Sequence, residues 1–194
     1  MRLRTIGKVA AGTFALTGAT TGLFVLVAQD AYAVNFEATR FFMAVLLVLL
    51  VTPIQCGFEE LLYRGWVMQG VYRLVPRPWV AVAVSSVLFW ASHLSNPEAA
   101  GMAAYYLVVG ALLSWVTLQT GRLEPAIGLH LGINMCALLV ATPATTAFQP
   151  AGLFLEVQPN LVREFALIVI LAAGSLVMLR RHKHQQAQLP VAMS

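Results

Sequence analysis

From Phe41 to Cys56 the chain reads FFMAVLLVLLVTPIQC, without one charged residue. Comparable runs recur at about Val9–Ala28, Trp79–Leu94, Gly101–Thr120, Pro125–Ala147 and Phe165–Leu179. A hydrocarbon core about 30 Å thick takes roughly 20 helical residues at 1.5 Å each, so each run is near the length of a membrane crossing. The rest of the chain agrees. Only 10% of its 194 residues are charged and 59% are hydrophobic, where a soluble domain carries roughly 25% charged residues. So few charges cannot cover a globule in water, and lipid must solvate most of the surface. The expected fold is all-α: a polytopic helical membrane protein, one domain over residues 1–194, with about six transmembrane helices. The second helix is expected to continue through the acidic residues after Cys56 towards Tyr72.

Charge placement gives the expected orientation. Six spans put both termini on one side, with Arg2, Arg4, Lys8, Arg64, Arg73, Arg77, Arg122, Arg180, Arg181 and Lys183. The other side holds Arg40 and Arg163. Positive residues collect on the cytoplasmic face, so both termini are expected there. The same placement argues against a nucleic-acid partner, because the basic residues flank spans and have no aromatic residues interleaved among them. The tail RRHKHQQ reads as a topology anchor. Near the other end, AYA at Ala31–Ala33 after an apolar run has the form of a signal-cleavage site. Residues 1–33 are therefore either a retained first helix or a cleaved signal, and cleavage is expected to leave five spans with the later helices undisturbed. The long stretch from Gln149 to Glu164 is expected to be an outer loop or interfacial segment.

With the flanking charges set aside, a short polar set remains within or beside the runs: Gln55, Glu59, Glu60, Arg64, His93, His130 and Asn134. Ionisable groups in a membrane are costly and call for a reason. Helical residues lie about 100° apart, so Glu59 and Glu60 cannot face one point. Glu60 and Arg64, at i and i+4, stack as an ion pair with the acid N-terminal to the base. Glu59 is then left unpaired on its own helix, with Gln55, Cys56 and Tyr63 on roughly its face. Phe89 and His93 share a face, as do His130 and Asn134, and Gly128 and Gly132 permit close helix approach. Structural readings stand beside these: an interfacial salt bridge, a packed histidine, an asparagine joining helices. Cys56 and Cys136 read as packing residues.

EELLYR at Glu59–Arg64, FWASH at Phe89–His93 and HLGIN at His130–Asn134 occur in that order. Together they resemble the type II CAAX prenyl endopeptidase family, the CPBP or Abi intramembrane proteases, over a motif-bearing core of about residues 41–147. The resemblance implies an intramembrane endopeptidase acting on a membrane-associated protein or peptide. Glu59 would activate water, His93 would hold or polarise it, and His130 and Asn134 would stabilise the oxyanion. Glu60 and Arg64 would form a supporting pair, with Phe89 beside His93. Glu59, His93 and His130 could alternatively hold a zinc ion. A multi-pass protein of a prokaryotic plasma membrane is expected. Two other functions stay open: a non-proteolytic immunity or scaffold protein of the same fold, and a small proton-coupled transporter.

Overall fold

The computed structural model describes residues 2–95, 101–144, 150–158 and 161–187. Helix α1 (Leu3–Val27) leads through a single 3-10 turn into strand β1 (Tyr32–Val34). Helix α2 (Ala38–Glu60) passes without a break through a π-helical segment, Leu61–Val67, into α3 (Met68–Leu74). Helices α4 (Pro78–Ser92), α5 (Ala103–Thr120) and α6 (Glu124–Leu139) follow, then strands β2 (Ala141–Pro143) and β3 (Phe154–Glu156) and helix α7 (Leu161–Ala187).

Local chemistry explains these boundaries. The Glu37 side chain accepts hydrogen bonds from the backbone N–H groups of Thr39 and Arg40, both at 2.9 Å, and so caps α2. Those two bonds hold its carboxyl below the usual carboxylate range. Proline stands at the start of both α4 and α6, where its missing N–H costs nothing. Gly121, at φ +64°, ends α5 in the left-handed conformation that a side chain would resist.

Leu3–Val27, the continuous Ala38–Leu74 helix and Ala103–Thr120 are each long and apolar enough to cross a membrane. This is a helical membrane protein, as the apolar runs require. Pro78–Ser92 and Glu124–Leu139 are apolar but shorter than the 20 residues expected of each span, at 15 and 16. The Pro125–Ala147 run ends early because the chain turns at Val140 into β2. Part of the expected Gln149–Glu164 loop is also regular. Strand β3 pairs antiparallel with β1 and parallel with β2, a small sheet added to the otherwise helical fold. Beside it the buried Arg163 bridges Glu156 on β3, at 2.7 Å, and Glu164 on α7. Gln149, Pro159, Asn160 and the last seven residues lie outside the described residues.

The first helix packs chiefly against α6. A Cβ at Gly128 would stand 2.7 Å from Val9 Cβ and 2.9 Å from the Ile6 carbonyl oxygen. At Gly132 it would stand 2.6 Å from Thr13 Cβ and 2.7 Å from the Ala10 carbonyl oxygen. Small residues thus let two backbones meet. Cleavage after Ala33 would strip α6 of this neighbour, contrary to the expectation that the later helices stay undisturbed. Gly132→Ala should therefore destabilise the protein by about 1–3 kcal/mol, the usual cost of overpacking. Gly57→Ala, where a Cβ meets nothing within 4 Å, should not. Thermal melting in detergent separates the two, and equal melting temperatures would contradict the packing described.

Candidate active site

The polar residues converge where α2, α4 and α6 meet. Placing each run at the membrane centre puts His93 in the outer half, about 10–13 Å from Glu59 in depth. The structure removes that gap. Glu59 lies 15 residues before Leu74 and His93 lies 15 residues after Pro78, on two helices joined by the short turn between those ends. At 1.5 Å per residue both stand about 22 Å from the turn. A short helix cannot be centred independently of the longer one beside it.

Glu59 Oε2 is buried and has no hydrogen-bond partner within the protein. Two imidazole nitrogens face it: His93 Nε2 at 3.9 Å and His130 Nε2 at 3.8 Å. The other oxygen, Oε1, accepts a hydrogen bond from Gln55 Nε2 at 3.0 Å, one helical turn away. His93 Nδ1 lies 2.7 Å from the Phe89 carbonyl oxygen. A carbonyl oxygen only accepts, so Nδ1 carries the proton and Nε2 is turned to Glu59. The His93 ring lies between those of Phe89 and Tyr106, tilted to both, with centroids at 4.6 and 4.8 Å.

Glu60 occupies a separate, fully buried position. Its Oε1 accepts from Arg64 Nη1 at 2.9 Å and stands 2.9 Å from His130 Nδ1. The Arg64 guanidinium continues to the Gly110 carbonyl oxygen at 2.9 Å and Ser114 Oγ at 3.3 Å, and lies 4.7 Å from the centre of the Phe89 ring. Arg64 sits within the π-helical segment, whose Tyr63 carbonyl oxygen accepts from both Met68 N–H and Ser85 Oγ. Such segments recur at functional sites. Asn134 Nδ2 points to Cys56 Sγ at 3.5 Å, which brings α6 against α2 one turn from Glu59.

Gln55, Glu59, Glu60, Arg64, His93 and His130 thus form one connected cluster, and Asn134 lies against α2 beside it through Cys56. Ser114, Gly110, Ser85 and Tyr106 join it unpredicted. Serine and glycine are common at helix contacts, and Tyr106 sits in an apolar run that offers no signal of its role.

The spacing bears on a metal. Tetrahedral zinc bound at about 2.05 Å holds its donor atoms about 3.3–3.4 Å apart. The separations at Glu59 Oε2 are 3.8 and 3.9 Å, about half an ångström wider. Among the described residues no three His, Cys, Asp or Glu side chains are grouped to hold a metal ion. Glu59, His93 and His130 would hold a zinc ion only after closing by that half ångström. A water oxygen hydrogen-bonded at about 2.8 Å to the carboxylate and to either imidazole fits, with an angle near 90° between the bonds.

Compared with known proteins, residues 38–136 match the family described as type II CAAX prenyl endopeptidase Rce1-like. The matched segment carries the whole Glu59–Asn134 cluster and excludes α1. The uncharacterized protein YyaK of Bacillus subtilis (strain 168) is 30% identical over 128 residues, covering 63% of this chain and 43% of that protein. This chain therefore spans less than half the length of that curated relative. No solved structure gives a significant match.

Proposed function

The chain belongs to the type II CAAX prenyl endopeptidase Rce1-like family, and on that premise we propose that it hydrolyses a peptide bond in a membrane-associated protein or peptide, with Glu59 as general base. The observation that carries this reading is the meeting of one buried carboxylate oxygen with imidazoles from two other helices.

In the proposed step, a water held between Glu59 Oε2 and an imidazole attacks the carbonyl carbon while its proton passes to Glu59. Gln55 ties down Oε1 and so aims Oε2 at the water. Asn134 Nδ2 stabilises the negative charge that develops on the carbonyl oxygen, the role that the resemblance shares between Asn134 and His130. When the C–N bond breaks, the proton on Glu59 goes to the leaving nitrogen. Glu60 and Arg64 hold the helices that bring these groups together. Cys56 stays a packing residue: its thiol is buried and already meets Asn134.

By analogy with the family, the proposed substrate is a membrane-anchored peptide such as a leader, a bacteriocin precursor or a C-terminal sorting tail. Apart from Arg64, which is buried in the site, Lys and Arg divide nine to two, which supports cytoplasmic termini in a multi-pass plasma-membrane protein, and the bacterial relative supports a prokaryotic setting. Asn134→Ala tests the oxyanion assignment. Loss of one such donor typically lowers the rate by about 10²–10³, so pulse–chase labelling of membrane peptides should show a precursor whose half-life lengthens accordingly. An unchanged half-life would remove Asn134 from the mechanism.

A further inference from the structure

We propose that Glu60 is a positioning residue for His130: its Oε1 fixes the imidazole with the proton on Nδ1, so that Nε2 alone meets the reacting atoms. The supporting pair assigned to Glu60 and Arg64 would otherwise need only to hold α2 in place. The geometry gives it more to do. Glu60 Oε1 lies 2.9 Å from both Arg64 Nη1 and His130 Nδ1, and Glu60 and Arg64 are fully buried. A protonated Glu60 would leave the buried guanidinium without a counter-charge, which is strongly unfavourable. As a carboxylate Glu60 offers only lone pairs, so the hydrogen on the short Nδ1 contact belongs to the ring.

The carboxylate itself cannot swing away. Arg64 is held on α5 by the Gly110 carbonyl oxygen and Ser114 Oγ, and it fixes the oxygen that His130 uses. Phe89 closes one side of the ring, edge to face, with centroids 5.6 Å apart. A chain of contacts therefore runs from α5 through Arg64 and Glu60 to His130 on α6. In the neutral ring this leaves a lone pair on Nε2, 3.8 Å from Glu59 Oε2. His130 then holds the attacking water, and donation to the oxyanion falls to Asn134. That consequence rests on the hydrolase reading, whereas the tautomer does not.

The test needs no substrate. The chain has four histidines, His93, His130, His182 and His184, so selective ¹⁵N-histidine labelling of the detergent-solubilised protein gives few signals. Those of His130 are identified by their loss in His130→Asn. Long-range ¹H–¹⁵N correlation should show His130 protonated at Nδ1 in the wild type. Replacing the pair by apolar residues, Glu60→Leu with Arg64→Met, should preserve folding and remove the preference for Nδ1. An Nδ1 without a proton in the wild type overturns the proposal. So does an unchanged Nδ1–H pattern in the folded double variant, which would reduce Glu60 to a structural partner. If the double variant does not fold, the wild-type spectrum decides alone. A proton on Nδ1 together with no hydrolysis would retain the tautomer and reject the protease.

Discussion

Glu59→Gln is expected to keep the fold and substrate binding and to lose about 10²–10⁴ in hydrolytic rate, the usual contribution of a positioned general base. Glutamine preserves the size of the side chain and can still accept from Gln55, so packing changes little. It cannot take the proton of the water that the two imidazoles face. Uncut substrate should therefore co-purify with the variant while the detergent melting temperature stays near that of the wild type. The same substitution separates the other functions open to such a chain. An immunity or scaffold protein would keep its activity, and a proton-coupled carrier would lose pH-dependent flux without accumulating any precursor.

Arg64→Ala should be the most destabilising of the single substitutions considered. It leaves Glu60, which is fully buried, without its guanidinium partner, and breaking a buried pair from one side costs about 3–5 kcal/mol. It also removes the cation lying over Phe89 and the donor to the Gly110 carbonyl oxygen. For a chain of this length the melting temperature should fall by roughly 10 °C. Arg40→Ala provides the comparison. Its pair with Glu37 has both side chains about half exposed, and such surface pairs contribute at most about 1 kcal/mol. Similar melting temperatures for the two variants would mean that the Glu60–Arg64 pair does not carry the helix contact described here.

The readable part of this site was local. Glu60–Arg64 and Gln55–Glu59 are separated by four residues, so helical periodicity alone puts each pair on one face. The bond between Glu60 and His130 spans seventy positions, and no spacing rule reaches that far. The depth of His93 is not legible from the runs, because α4 is shorter than a full crossing and takes its level from the turn after α3. The π-helical segment is not legible either, since helical periodicity does not show that the Tyr63 carbonyl oxygen also accepts from Ser85 of another helix. The small sheet left even less trace. Its strands are three residues each, too short for alternation to appear. Gly128 and Gly132 were legible as sites of close approach, but not the helix they admit, which proved to be α1.

The most direct test of Glu59 as the working base is mass spectrometry of membrane peptides from two strains, one carrying the wild-type chain and one carrying Glu59→Gln at equal abundance. A base at this position predicts at least one intact precursor that accumulates in the variant and a matching fragment found only in the wild type. Two indistinguishable peptide sets, with both proteins folded and present, would contradict it.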